Sequence, residues 1–257
     1  MARLKIGVQL HQQHCSIAQY RQAWRRADEL GVDSIWNWDH FFPLYGDPNG
    51  RHWEGWTTLA VLGCETRRAR IGCLVLCMSY RNAALLSQMA RTLDHLCGGR
   101  LILGVGAGWF ARDYQEYGYD FGTPGARLKN LERAIGTLKE RWAKDEPKPV
   151  RGTIPLLIGG GGEKVTLRLA AEHADFWNTT NPPEAWAHKN RVLDEWCRKV
   201  GRDPTTIERT AATWSPDLAQ AEQYAAAGAE HIIYGFGPPF DFGPVERLLE
   251  WRENRPD

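Results

Sequence analysis

Eight short apolar runs, each followed by a helical pattern, constrain this 257-residue chain more than any other feature. "LKIGVQL" (4–10) reads as a strand. "SIAQYRQAWRRADELG" follows, with Ile17, Tyr20, Trp24, Ala27 and Leu30 at helical spacing and Gly31 placed as a C-cap. "DSIWNW" is the second strand; a loop rich in Gly, Pro and Asn (43–53) leads from it to the helix "EGWTTLAVLGCET". "ARIGCLVLC" (69–77) is the third strand. Asn82 can cap the helix after it, whose stripe is Leu86, Met89, Leu93 and Leu96, and Gly98-Gly99 stop it. "LILGVGAG" (101–108) is the fourth strand, followed by a long helix over 123–142.

The second half repeats the alternation. "IPLLIGG" (154–160) precedes "EKVTLRLAAEHA", "DFWNT" precedes "PEAWAHKNRVLDEWCRKVG", "IERTAATW" precedes "PDLAQAEQYAAAG", and "EHIIYGFG" precedes "GPVERLLEWR". The strands are apolar throughout rather than alternating, as when both faces are buried. Nothing between the units resembles a linker. The expectation is one α/β domain over residues 1–257, a closed (β/α)8 TIM barrel, with a doubly wound open sheet as the alternative. Active sites on such barrels lie at the carboxyl ends of the strands. The residues just past each strand therefore come into question.

Lys and Arg number 32 against 31 Asp and Glu, a net charge of +1, which argues against nucleic acid or an anionic membrane as partner. No apolar run approaches the roughly 20 residues of a membrane span. The apolar part of "MARLKIGVQL" is too short for a signal peptide, so a cytoplasmic protein is expected. Six cysteines form no C-x-x-C pair, and Cys73 and Cys77, about 13 Å apart on one strand, are too distant for a disulfide. Reduced, mostly buried thiols are expected. Five of the twelve tryptophans, Trp36, Trp38, Trp109, Trp177 and Trp214, fall near strand ends, which suggests an aromatic-lined cleft.

Past the first strand, His11 and His14 read as polar loop residues; they lack a third partner for a metal, and no metal site is expected. Past the second stands Asp39-His40. An imidazole there can give or take a proton near neutrality, and Asp39 can fix its tautomer or a nearby backbone group. Tyr80 and Arg81, past the third strand, either contact a ligand or rim the barrel. Gly104, Gly106 and Gly108 form G-x-G-x-G, not the dinucleotide G-x-G-x-x-G, and suit close approach of backbone to a flat ligand. Gly159–Gly162 run toward a helix N-terminus, where bare amides and the helix dipole suit a phosphate. Glu163 competes for that positive end and Lys164 can offset it. Asn178, Thr179 and Thr180 add small hydrogen-bonding groups, and Gly235 and Gly237 thin the wall past the last strand.

Three segments, "DSIWNWDHFFP", "IGCLVLCMSYRNAALLSQMARTLDHLCGGRLILGVGAGW" and "PLLIGGGGEKVTLRLAAEHADFWN", carry a resemblance to the bacterial luciferase-like flavin monooxygenase superfamily. The chain resembles most closely its deazaflavin branch, the coenzyme F420-dependent oxidoreductases, over residues 4 to 235. The resemblance implies a dimeric barrel with the coenzyme in its mouth. It places the family's Asp-His motif on Asp39 and His40, with the histidine as catalytic base. It also implies a non-proline cis peptide at Leu74–Val75 behind the ring, a contact at Gly108 and Trp109, and a phosphate loop at Gly160, Gly161 and Gly162 backed by Thr179. Two departures stand out. The family's sugar-phosphate dehydrogenase has a glutamate where this chain has Trp109, and only "AKDEPKPVRGT" links the fourth helix to the fifth strand, where many relatives carry a long excursion. Trp36, Trp53, Trp56, Trp109 and Tyr80 together suggest an apolar or planar substrate. The expected activity is hydride transfer between coenzyme F420 and a small organic molecule, with an FMN-dependent monooxygenase and a non-catalytic barrel subunit as alternatives.

Overall fold

The computed structural model describes residues 3–255. Nine parallel strand segments form one sheet: β1 (Lys5–Leu10), β2 (Ser34–Asn37), β3 (Arg70–Cys73), β4 (Leu76–Cys77), β5 (Leu101–Gly106), β6 (Leu156–Gly159), β7 (Phe176–Thr179), β8 (Glu208–Thr213) and β9 (His231–Phe236). The order β3-β2-β1-β9-β8-β7-β6-β5-β4, with a further β3–β5 pairing, closes the sheet on itself. Because β3 and β4 are two parts of one broken strand, the barrel has the eight staves expected.

The outer layer is α1 (Ile17–Leu30), α2 (Gly55–Glu65), α3 (Ala83–Leu96), α4 (Ala111–Tyr117), α5 (Pro124–Lys144), α6 (Thr166–His173), α7 (Pro183–Lys199), α8 (Leu218–Ala226) and α9 (Gly243–Glu253). The capping signals act as their chemistry dictates. Ser16 and Gln19 form a capping box on α1, which Gly31 ends at φ 81°, and Asn82 accepts from the amides of Ala84 and Leu85 to start α3. Two ends of apolar stripes are not buried: Ile17 and Leu96 lie exposed while Tyr20, Trp24, Leu86 and Leu93 are in the core. Helix α4 stands in what reads by sequence as connection; Asp113 in its first turn and Gly118 at its C-cap are its start and stop signals. Helix α6 begins at Thr166, three residues later than the pattern predicts, because the glycine run continues as loop through Val165.

Strand alternation separates two cores. Leu101, Leu103 and Val105 face the helices, while Ile102 joins Trp36, Leu157, Phe176, Ala212 and Ile233 inside the barrel. Gly104 and Gly106 share the inward side of β5, and with Gly159 they surround Val75. A Cβ would stand 2.6 Å from Val75 at Gly106 and 2.8 Å from it at Gly159; at Gly104 it would collide with the carbonyl oxygen of Cys73. These glycines make room for the segment between β3 and β4, and Gly106 and Gly159 also line a cavity at the strand ends. The expected unbroken strand over 69–77 is interrupted there, and the Leu74–Val75 peptide is cis.

Replacing Gly104 by Ala overfills this inner face. Urea unfolding should show a loss of about 1–3 kcal/mol, as overpacked cores do; an unchanged midpoint would show that β3 and β5 have room to part.

Candidate active site

A cavity of about 410 Å³ opens where the strands end. Each of the sequence-derived site residues reaches it. Leu74 and Val75 line it at the break in the third stave, and the Gln9 side-chain amide holds that segment by donating to the Leu74 carbonyl at 3.0 Å. Asp39 and His40 line it past β2, Gly108 and Trp109 past β5, and Gly160, Gly161, Gly162 and Thr179 past β6 and β7. Of the strand-end tryptophans, Trp38, Trp109 and Trp214 line it, whereas Trp36 and Trp177 are fully buried in the two cores. Trp53 and Trp56 do not line it; Trp56 is core, and Trp53 donates its indole N–H to the Cys15 carbonyl.

The two members of the Asp-His pair have separate partners. Asp39 is buried, accepts both Arg81 guanidinium nitrogens at 2.6 Å each, and accepts the Cys77 amide at 2.8 Å. Burial pushes its carboxyl upward, and the guanidinium and the amide pull it back. Asp39 therefore fixes the backbone of β4 at Cys77, and Arg81 serves as its charged partner. The imidazole of His40 is held instead by Asp113, 73 residues away, with Nδ1 at 2.7 Å from Oδ2. Asp113 is fully buried and also accepts the Phe41 amide at 3.1 Å and the Tyr80 hydroxyl at 3.2 Å. Because a carboxylate can only accept, Nδ1 carries the proton and Nε2 is the nitrogen left for chemistry. Sequence reasoning missed Asp113 because its helix was read as connection.

His11 is not the polar loop residue expected. It is 3 % exposed and stacks on Trp38, with centroids 4.3 Å apart at 16°. On Trp38's indole N–H sits His52, also unforeseen, accepting through Nε2 at 3.0 Å.

The glycine run divides by role. Gly159 ends β6, and the Gly160 amide donates to the Asn178 carbonyl at 2.8 Å, with Gly160 at φ 127°. The bare amides expected over 159–162 thus narrow to Gly161 and Gly162, which have no backbone acceptor among the described residues. A Cβ at Gly161 would stand 2.8 Å from Asn181 Oδ1, and one at Gly162 2.9 Å from Thr166 Oγ1, so a side chain at either position would displace a polar side chain beside the loop. Glu163 pairs with Lys189 at 2.5 Å and His188 at 3.0 Å, not with Lys164.

A family model of the luciferase-like monooxygenases matches residues 1–255. The chain belongs to that family. A luciferase-like relative, the F420-dependent glucose-6-phosphate dehydrogenase of Microbacterium testaceum, is 31 % identical over 74 % of this chain and 62 % of its own. Among solved luciferase-like folds, an F420-dependent secondary alcohol dehydrogenase in complex with an F420-acetone adduct superposes with TM-score 0.83 at 20 % identity, covering 99 % of this chain and 98 % of the other. The oxygenating constituent of 3,6-diketocamphane monooxygenase from Pseudomonas putida, in complex with FMN, gives TM-score 0.66 at 16 % identity over 82 % and 66 %. At these identities the two structures show the fold. No helix among the described residues of this luciferase-like chain is long and apolar enough to cross a membrane.

The geometry makes two predictions. Asp113→Ala strips an acceptor from three groups at once; since one unpaired buried group costs about 1–3 kcal/mol, urea unfolding should show a loss of about 3 kcal/mol, and nitrogen NMR should show His40 shared between its tautomers. The second concerns pH. Burial holds His11 down at about 3 and His52 at about 4, while a free imidazole titrates near 6.5. Below about 6.5 the unfolded chain takes up protons that the folded chain refuses. Stability should fall toward pH 4 by at most about 1.4 kcal/mol per pH unit for each imidazole, and neither contributes above pH 7. Unfolding at pH 7 and pH 5 checks this, and His52→Gln should make the decline shallower.

Proposed function

We propose that the protein is a coenzyme F420-dependent oxidoreductase that passes a hydride between the deazaflavin and a small organic substrate, with His40 giving or taking the accompanying proton. One observation carries the reading: an imidazole with Nδ1 committed to a buried carboxylate shares a cavity with a pair of unengaged glycine amides. The amides of Gly161 and Gly162, with the nearby Thr166, Thr179 and Thr180, would hold the coenzyme's phosphate. Leu74, Val75 and Gly108 would lie against its ring, and Asp39 would keep that wall in place through the Cys77 amide. The bound deazaflavin supplies the hydride chemistry; the protein supplies placement and the proton. The F420-dependent names of the relative and of the alcohol dehydrogenase favour the deazaflavin, and the FMN-bound structural neighbour keeps FMN as the second reading. The homodimer that the resemblance implies, and a cytoplasmic setting, belong to the same proposal.

Fluorescence titration with oxidised coenzyme F420 and with FMN tests it. The deazaflavin should bind about tenfold more tightly or better, and the reverse order would transfer the reading to FMN chemistry. His40→Ala should lower turnover by about 10²–10⁴-fold, the usual share of a general acid or base, while leaving coenzyme affinity nearly as it was. Equal losses in both would make His40 a structural residue.

A further inference from the structure

The cavity has one place for an anion, and among the described residues no lysine or arginine lines it to hold a second. Its one lining carboxylate, Asp39, is paired. Of the cations around the mouth, Arg81, Lys189 and Arg127 are engaged, while Lys164, two residues past Gly162, points to solvent without an ion pair among the described residues. Arg81 is held by Asp39 and Glu54, and Lys189 by Glu163. Arg127 donates to the carbonyls of Gly108 at 3.2 Å and Phe121 at 2.8 Å. With the glycine amides taken by the coenzyme, a phosphorylated substrate would gain most from a cation in the lining, since charge-assisted hydrogen bonds are the stronger ones.

Around His40 the surfaces are aromatic instead. Its ring stands between two indoles met edge-on, Trp38 at 6.0 Å and 78° and Trp109 at 5.6 Å and 75°. Trp38 is fixed by the His11 imidazole stacked on it and by its hydrogen bond to the coplanar His52 ring. Trp109 is 66 % exposed, an uncommon state for an indole that has a cavity beside it. A molecule whose polar group reaches His40 must lay its body along one of these rings.

Resting on the coenzyme reading above, we propose that the substrate is an uncharged, flat apolar compound and that Trp109 is the specificity-determining residue that holds it. The aromatic face supplies the attraction, and a lining without lysine or arginine gives a phosphorylated substrate no advantage.

Calorimetric titration of the full chain, empty and saturated with oxidised coenzyme F420, tests this with 2-acetonaphthone and glucose 6-phosphate as probes. The loaded protein should bind the ketone about tenfold more tightly than the sugar phosphate. Trp109→Ala should weaken the ketone about fivefold, the scale of one aromatic contact, and Trp109→Phe should restore most of it. Because the side chain is exposed, both variants should melt close to the wild type. Equal or tighter binding of the sugar phosphate, or ketone affinity indifferent to Trp109→Ala, overturns the proposal. Failure of the coenzyme to bind sinks the coenzyme reading alone; the same probe and variant comparisons on the empty protein then decide the role of Trp109.

Discussion

The space around Val75 governs the rest of the molecule. Three glycines, one from β6 and two from β5, leave the inner face of the barrel open, and the third stave breaks to send Leu74 and Val75 into that opening. A barrel whose staves all carried side chains inward would be a filled core with no cavity at this depth. Here the break ends the packed interior below Val75, and the cavity begins above it. The ladder on either side stays intact, because β3 and β4 both pair with β5.

Two buried carboxylates then set the electrostatics of the mouth, and each is answered by groups distant in sequence. Asp39 and Arg81 form a bidentate pair across 42 residues, with the Cys77 amide as a third donor. Removing one partner of such a pair leaves a charge in a poorly solvating place, a cost well above what the intact pair gains. Asp113 gathers an imidazole, an amide and a phenol, so the position of His40 is tied to α4 rather than to its own neighbour in the chain. At the other end of the strands Ser34, His231 and Glu208 form a separate polar cluster with Lys5. Polar groups at that face of a barrel serve stability.

The fold was legible because apolar runs and helix caps are local signals. The eight strands, Gly31 and Asn82 all stand close to where their spacing puts them. The cavity-lining residues were legible for a different reason: on a barrel, strand ends converge, so position along the chain implies position in space. Partnership was not legible. The adjacency of Asp39 and His40 in sequence suggested a working pair, yet successive residues point in different directions, and each found its partner on another element. His11, read as a loop residue, is buried because Trp38 arrives to cover it.

By itself the sequence determined the number and order of staves and the presence of an imidazole and a run of glycines at strand ends. Tertiary structure alone decided that Asp113 orients His40, that Gly104, Gly106 and Gly159 accommodate Val75, and that Arg81, Lys189 and Arg127 are already engaged. The physical reason is that backbone periodicity is fixed by residues within a few positions. Hydrogen bonds and van der Waals contacts between side chains depend on which surfaces barrel closure brings within about 4 Å.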